Sequence, residues 1–470
     1  MKQNFNSFIN LCLLSSVVFT TELFSVSEHN QNKFDKKYTT SIQTNKLFQK
    51  QISGLNDEEL DSFVLGRSFF TIPWVEAPSA TTARDGLGPL FNANTCINCH
   101  PKNAIGSVYN KNYNISRNYI TRLSIPSNGS FTHSQMLKYS GFIEEPIYGQ
   151  QISINGVESV PYEAKPVIQY KNINIKYPDG EKIILKKPLQ GVESQLKDLQ
   201  YGKINDQVSI TNRLAPALVG LGLLEQITDK QILANEDIED KNNDGISGKA
   251  NIVYSIKHKD FRVGRYTKKS SAPSVIHQTA AAAFNDMSLK NPFFPSENCT
   301  TSQKKCLEAP KGDENRGETS LDLPMKRLEA ISFYLTNLKI PKSTITQKNG
   351  ELLFSSIGCV KCHTPSFTLS NGYEIKPFSD LLLHDMGKDL GDGRIEFKAT
   401  ATEWRTAPLW GIGKFELATG KKPELLHDGR AKTIEEAILW HNGEAKEIKK
   451  NFMNLSKKDR ESVIMYIKEL

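Results

Sequence analysis

"NTCINCHPKNAIG" (residues 94–106) carries Cys96-Ile97-Asn98-Cys99-His100 at its centre, and the chain writes the same phrase again in "GCVKCHTP" (358–365), as Cys359-Val360-Lys361-Cys362-His363. Two thiols separated by two residues, with a histidine directly after the second, have a specific chemical use. The thiols add across the two vinyl groups of a haem, and the imidazole becomes the proximal iron ligand. Two intervening residues on one helical turn bring both sulfurs to one side of the macrocycle, so the next residue points at the iron.

Three other uses of a C-x-x-C pair compete with this one: half of a structural zinc site, a redox dithiol, and a disulfide. Zinc calls for a second pair nearby, whereas these pairs stand far apart in sequence. A thioredoxin-like pair sits in a βαβ setting, which the flanking sequence does not show. Neither explains a histidine after both pairs. The pattern therefore predicts two covalently bound haem c groups, held by Cys96, Cys99, Cys359 and Cys362, with His100 and His363 on iron.

The N-terminus points to export. Lys2 precedes an apolar run over 8–19, too short to span a bilayer, and Ser25-Val26-Ser27 supplies small residues before Glu28. Residues 1–27 read as a signal peptide and the location as periplasmic, which suits haem c because bacterial c-type haems are attached outside the cytoplasm. No later segment is apolar enough to cross a membrane. Of the seven cysteines, Cys12 lies inside the apolar run, four belong to the haem phrases, and Cys299 and Cys306 remain. In an oxidising compartment these two read as a disulfide closing a small loop. The net charge of +7 comes from scattered lysines, which is a solvated basic surface rather than a nucleic-acid footprint.

A chain of 470 residues exceeds what one core usually covers. Residues 28–55 are polar and read as a loose leader. Residues 56–120 carry the first haem segment. Over 121–260 "QQISINGVESV" and "NINIKYPDGEKIILKK" alternate apolar and polar residues around Asn155-Gly156 and Asp179-Gly180, which are hairpin turn signals. Helical spacing returns in 261–342, where Pro324 opens a run with Leu328, Ile331, Leu335 and Leu338, and Pro341 closes it. Residues 343–470 contain the second haem phrase and end in a helix that Ser456 would cap, with Asp459 three residues on. The expected fold class is mainly α: two cytochrome c-like haem domains with a β-rich insertion between the haem motifs. Beyond the haem phrase itself the sequence shows no internal repeat. In "DIEDKNNDGISGKAN", Asp240, Asn242 and Asp244 alternate before Gly245 like the opening of a calcium loop, but the distal bidentate Glu is missing and an Asx-rich turn fits as well.

"DGLGPLFNANTCINCH", "RLAPALVGLGLLEQI", "NNDGISGKAN", "LLLHDMGKDLGDGR", "EWRTAPLWGIG" and "LLHDGRAKTIEEAILWHNGEA" together resemble the di-haem oxidoreductase family of peroxidase-like proteins, in order, over 63–470. More distantly, the C-terminal half is similar to bacterial di-haem cytochrome c peroxidases and to the di-haem enzyme that matures tryptophan tryptophylquinone. The resemblance implies further site residues. Counting on from Glu435-Glu436, the position that holds the distal ligand of the second haem in those relatives is His441 here, which would make that haem His363/His441. Met386 is the competing ligand. His384 and His427 match histidines of the relatives that are not axial. Where the peroxidases carry a displaceable histidine at the first haem, this chain has Ile115, leaving His133, His258 and His277 as candidates. "APSVIHQTAAAAFNDM" resembles the helix that carries distal catalytic groups, which would make Gln278 and Asp286 the catalytic pair, with a packed alanine-rich helix as the bland alternative.

These readings imply an exported di-haem oxidoreductase, peroxidase-like, with one haem as the reactive site and one as an electron relay fed by a soluble donor such as a small cytochrome or copper protein. Trp74, Trp404, Trp410 and Trp440 are candidates for the space between the haems. The alternative is a non-catalytic di-haem electron carrier with both irons saturated.

Overall fold

Behind each C-x-x-C-H phrase two helices cross at a glycine in the computed structural model, which describes residues 31–81, 83–312 and 321–470. The expected signal peptide lies outside the described residues. The first crossing starts with Asp57–Thr71, nucleated by a capping box. The Asn56 side chain accepts from the Glu59 N–H (2.9 Å), and the Glu59 carboxylate accepts from the Asn56 N–H (2.9 Å). Such a cap contributes about 1 kcal/mol. The helix buries Phe63, Phe69 and Phe70 and lies across Met325–Thr336, whose Leu328, Ile331 and Leu335 are buried at the expected spacing. Each such side chain contributes roughly 1.5–3 kcal/mol. Gly66 sits at the contact, where a Cβ would collide with the Ala330 carbonyl and the Tyr334 side chain.

The second crossing pairs Lys348–Ser356 with the last helix, Lys457–Glu469. Here Gly350 meets the Ser462 carbonyl and the Tyr466 side chain. Ser456 caps the last helix by accepting from the Asp459 N–H (3.2 Å), while its hydroxyl donates to the Asp459 carboxylate (2.8 Å), so the reciprocal bond of a full capping box is not made. Two large apolar clusters follow the two crossings. One contains Phe63, Phe70, Leu328 and Tyr334; the other contains Phe354, Phe452, Val463 and Tyr466.

The expectation of a mainly α fold is wrong. The described chain is 32% helical and 18% strand, and its strands form nine separate two-stranded sheets. Several of these lie outside 121–260, such as Phe367–Thr368 with Glu374–Ile375 and Leu383–Asp385 with Glu403–Arg405. The physical reason is the cavity described below. Chain that turns repeatedly around an internal space cannot form long helices, and short strand pairs satisfy its backbone groups at each turn.

Three local expectations also change. Asp179-Gly180 does turn a hairpin between Tyr170–Lys176 and Lys182–Pro188, with Gly180 at φ +95°, a conformation that only glycine adopts cheaply. Asn155–Gly156, by contrast, is not a turn but a strand paired with Leu90–Phe91. The helix opened by Pro324 stops at Thr336, and Ile340–Pro341 instead pairs with Thr39–Thr40. That pairing shows that the chain after residue 30 is no loose leader: Phe34, Leu47 and Phe48 are buried in the first cluster.

Candidate functional site

Both phrases open onto one cavity of about 890 Å³ with a mainly apolar lining. That is near the upper end of the roughly 300–1,000 Å³ usual for ligand sites. At the first end Cys96–Cys99 forms one helical turn, capped by the Thr95 side chain accepting from Asn98 N–H. His100 follows, and its Nδ1 meets the Pro216 carbonyl at 2.8 Å. At the second end Cys359–Lys361 forms a 3₁₀ turn, and His363 Nδ1 meets the Phe378 carbonyl at 2.8 Å. A carbonyl only accepts, so each Nδ1 carries the proton and each Nε2 keeps a lone pair. Burial pushes both imidazoles down to about 4, so both are neutral. These side chains are shielded from bulk water yet only partly covered, because the surface they expose faces the cavity.

The four cysteines of the phrases are unpaired. Burial, reinforced by Asp286, pushes the Cys96 thiol up to about 12, and burial followed by Cys362 does the same for Cys359. Thiols held protonated in an apolar wall do not resemble the activated thiolate of a redox dithiol.

His441 ends Ile434–Trp440 and also lines the cavity. Its Nδ1 meets the Ala437 carbonyl at 2.7 Å, one turn back, and burial lowers its pKa. Its charge would be felt at His363, so the two rings share one end of the cavity. His384 is held quite differently. Nδ1 meets Glu444 at 2.7 Å and Nε2 meets Asp380 at 2.8 Å. Burial opposes its charge, but bonds to Asp380, the Cys362 sulfur and Glu444 override burial and push it up to about 12. An imidazolium with both nitrogens engaged has no lone pair for a metal, although Cys362, Asp380 and His384 cluster closely. His427 lies flat on Trp404, with ring centroids 4.0 Å apart and planes 8° apart. Met386 lines the cavity and packs against the second cluster.

Around the first phrase, Val275–Met287 brings His277, Gln278 and Asp286 to the cavity wall. The Asp286 carboxylate accepts from Gln151 Nε2 (2.7 Å), and burial raises its pKa against the lowering effect of Arg122 and Gln151. Its charge is felt at both Cys96 and Cys99. His277 is buried against Phe293 and Phe294 with Nδ1 unpartnered. His133 and His258 do not line the cavity; His258 stands exposed between Ile252–Ser255 and Asp260–Val263. Ile115 is likewise absent from the wall. Of the tryptophans, Trp74, Trp404 and Trp410 line the cavity, and Trp440 lies behind it in the second cluster.

Sequence reasoning missed seven cavity-lining charges: Arg122, Glu144, Arg213, Lys268, Glu396, Arg405 and Lys449. Arg213 and Arg405 stand within quoted family blocks, but none of the seven belongs to a local motif that signals a cavity. Elsewhere, Cys299 and Cys306 are joined as a disulfide. In the acidic loop Asp240 accepts from the Asp244 and Gly245 N–H groups (2.9 and 3.1 Å), and Asp244 pairs with Lys361 at 3.0 Å, tying that loop to the second phrase.

A family model described as "Di-haem oxidoreductase, putative peroxidase" matches residues 35–470. No curated protein matches. Among solved structures, Kuenenia stuttgartiensis hydrazine synthase pressurized with 20 bar xenon is 20% identical over 31% of this chain, with a TM-score of 0.23. The match covers 55% of that protein, about half its length, and at this TM-score it carries no structural argument.

Proposed function

Because the chain belongs to the di-haem oxidoreductase family, we propose that it is an exported peroxidase-like enzyme. Each C-x-x-C-H phrase holds one haem c covalently, and a soluble donor, a small cytochrome or copper protein, supplies electrons for the reduction of a peroxide. The residues present fit the group. At each end of one apolar cavity stand two protonated thiols and a neutral imidazole whose Nδ1 is tied back, leaving Nε2 for iron.

The observation that carries the division of labour is an asymmetry across the cavity. Near His363 stands a second anchored, neutral imidazole, His441. Opposite His100 no histidine anchored in this way is found among the described residues, and the wall there offers Asp286, Gln278 and Arg122. The second site is thereby suited to holding electrons and the first to meeting a small substrate.

When bound, haem supplies the one-electron and O–O chemistry. The chain does the rest. His100 and His363 each present a lone pair fixed by a carbonyl behind them. The apolar wall excludes water. Asp286, its pKa raised by burial, can hold a proton at its carboxylate and pass it to a peroxide oxygen, and Gln151 orients that carboxylate. Gln278 offers an amide to the same space.

One observation favours a carrier instead. His277 is buried at the cavity wall, neutral, with an unpartnered nitrogen, and a histidine on the first iron would saturate that site too. Ferric spectra separate the readings. The enzyme reading expects one high-spin haem that binds cyanide and one low-spin haem that resists it. His441→Gly should turn the second haem high-spin and open it to cyanide without releasing it, while His384→Gln leaves its spin state alone. Two low-spin haems in the wild type that become one on His277→Ala would establish the carrier. A low-spin signal that survives His441→Gly but is abolished by Met386→Ala would move the ligand to Met386.

A further inference from the structure

The most deeply buried cations among the described residues are paired with carboxylates, but two neighbouring cations between the two haem phrases are not. Arg213 meets Asp392 (3.1 Å) and Glu396 (2.7 Å), Lys269 meets Asp392 (3.1 Å), and Arg430 meets Asp428 (2.8 Å). Lys268 and Arg405 have no such partner among the described residues. Lys268 Nζ donates only to the Leu426 carbonyl (3.3 Å), and Arg405 donates only to the carbonyls of Thr267 (3.0 Å) and Thr406 (3.4 Å). The Arg405 N–H donates to the Lys268 carbonyl (3.0 Å), so the two residues are direct neighbours.

Their surroundings make this costly. Burial first, and then Arg405, bring Lys268 down to about 8, and burial alone accounts for most of the drop of Arg405 to about 10. Nearby carboxylates are already engaged: Asp380 by His384 and Asp428 by Arg430. Arg122 also lines the cavity; burial lowers its pKa, and the fields of Glu396 and Asp286 oppose that only in part. Two neighbouring desolvated cations without an anion are unfavourable by several kcal/mol each. A chain that pairs its most deeply covered cations with carboxylates has left these two direct neighbours for something that is not polypeptide.

Their place narrows what that is. Both side chains reach the cavity wall. The charge of Lys268 is felt at the His100 imidazole, and that of Arg405 reaches Asp380, whose N–H donates to the Cys362 carbonyl at 3.0 Å. The cation pair therefore stands between the first proximal histidine and the second pair of sulfurs.

We infer that Lys268 and Arg405 clamp a carboxylate lying between the two sites, and that this carboxylate is a propionate of one of the haems. The inference rests on the di-haem reading above. A free small carboxylate entering the cavity would satisfy the same chemistry, and the test separates the two sources. Either source cancels one of the pair's two charges and leaves the Arg405 guanidinium hydrogen-bonded on both sides.

The test uses the haem-loaded full chain and reads haem content by the pyridine haemochrome spectrum and midpoint potentials by spectroelectrochemical titration. Lys268→Gln and Arg405→Gln should keep both haems. A cation beside the iron disfavours the ferric state, so its removal should shift the reduction equilibrium of one haem at least tenfold toward ferric, about 59 mV for a one-electron couple. Arg405→Lys should recover most of that shift, and added acetate should leave the wild-type potentials unmoved. Unchanged potentials in both Gln variants with haem content intact would overturn the clamp. A wild-type potential that moves saturably with acetate would overturn the propionate and assign an exchangeable anion. If Arg405→Gln does not assemble, Lys268→Gln decides on the same outcomes. Wild-type protein without covalent haem would sink the di-haem reading itself, which is a separate result.

Discussion

At the first site a helix crosses its partner where Gly66 meets Ala330 and Tyr334; at the second, Gly350 meets Ser462 and Tyr466. In both, a glycine faces a carbonyl and the tyrosine one turn later. In both, the histidine that follows the cysteines is tied through Nδ1 to a backbone carbonyl at 2.8 Å. The likeness ends on the far side of the cavity. The second site faces His441, a third imidazole anchored in the same manner. The first faces Val275–Met287 with Asp286 and Gln278, and a buried histidine whose Nδ1 is unpartnered. The frame behind the sulfurs is a packing solution, and packing admits few variants. The far wall is built from different elements at the two sites, Val275–Met287 at the first and the end of Ile434–Trp440 at the second, so two sites with one frame can differ in chemistry.

The harshest way to break the comparison is to remove each sulfur pair in turn. Cys96→Ala with Cys99→Ala, and separately Cys359→Ala with Cys362→Ala, should each halve the haem that survives acid–acetone extraction. If one pair proves dispensable, the two sites are not equivalent even in attachment. Next come the crossings. A methyl group at Gly66 or Gly350 meets backbone that cannot step aside, so Gly66→Ala and Gly350→Ala should each destabilise by about 3 kcal/mol, at the upper end for overpacking. Urea unfolding midpoints measure this, and a tolerated Gly350→Ala would show that only the first crossing is tight.

The far wall sharpens the contrast further. Asp286→Asn should lower peroxide turnover by roughly 10²-fold, near 2.7 kcal/mol of barrier, with haem content and both spin states preserved. Turnover unchanged in that variant would remove Asp286 from the chemistry. The smallest effect concerns acid. Burial pushes His427 down to about 3, whereas the unfolded chain takes up a proton near pH 6.5. Its contribution is therefore present in full above pH 6.5 and is lost as pH falls toward 3, by about 1 kcal/mol at pH 5.5. His427→Phe, which keeps the stack on Trp404, should flatten the acid limb of stability against pH; an unaltered limb would place the acid sensitivity in other groups.

Much of this protein is legible in the sequence because its chemistry is local. Cys96 to His100 and Cys359 to His363 need only consecutive residues to form a C-x-x-C-H phrase, and Asp179-Gly180, Ser456 and the run from Leu328 to Leu335 act within one turn or one helix. The mainly α expectation failed because the helical runs are unmistakable while the two-residue strand pairs are not: their partners, such as Thr39–Thr40 with Ile340–Pro341, are distant in sequence and have no periodicity to read. The polar stretch after residue 30 misled for the same reason, since Leu47 and Phe48 find their core only when the chain returns. The repeated glycine crossing was invisible because Gly66–Tyr334 and Gly350–Tyr466 involve different spacings, and similarity arises only in space. Consecutive residues thus sufficed to write two C-x-x-C-H phrases. What surrounds each of them came from folding. A lone pair at His441, its absence at His384, and two unpaired cations at Lys268 and Arg405 depend on which carbonyl or carboxylate folding brings within 3 Å of each nitrogen or leaves beyond reach.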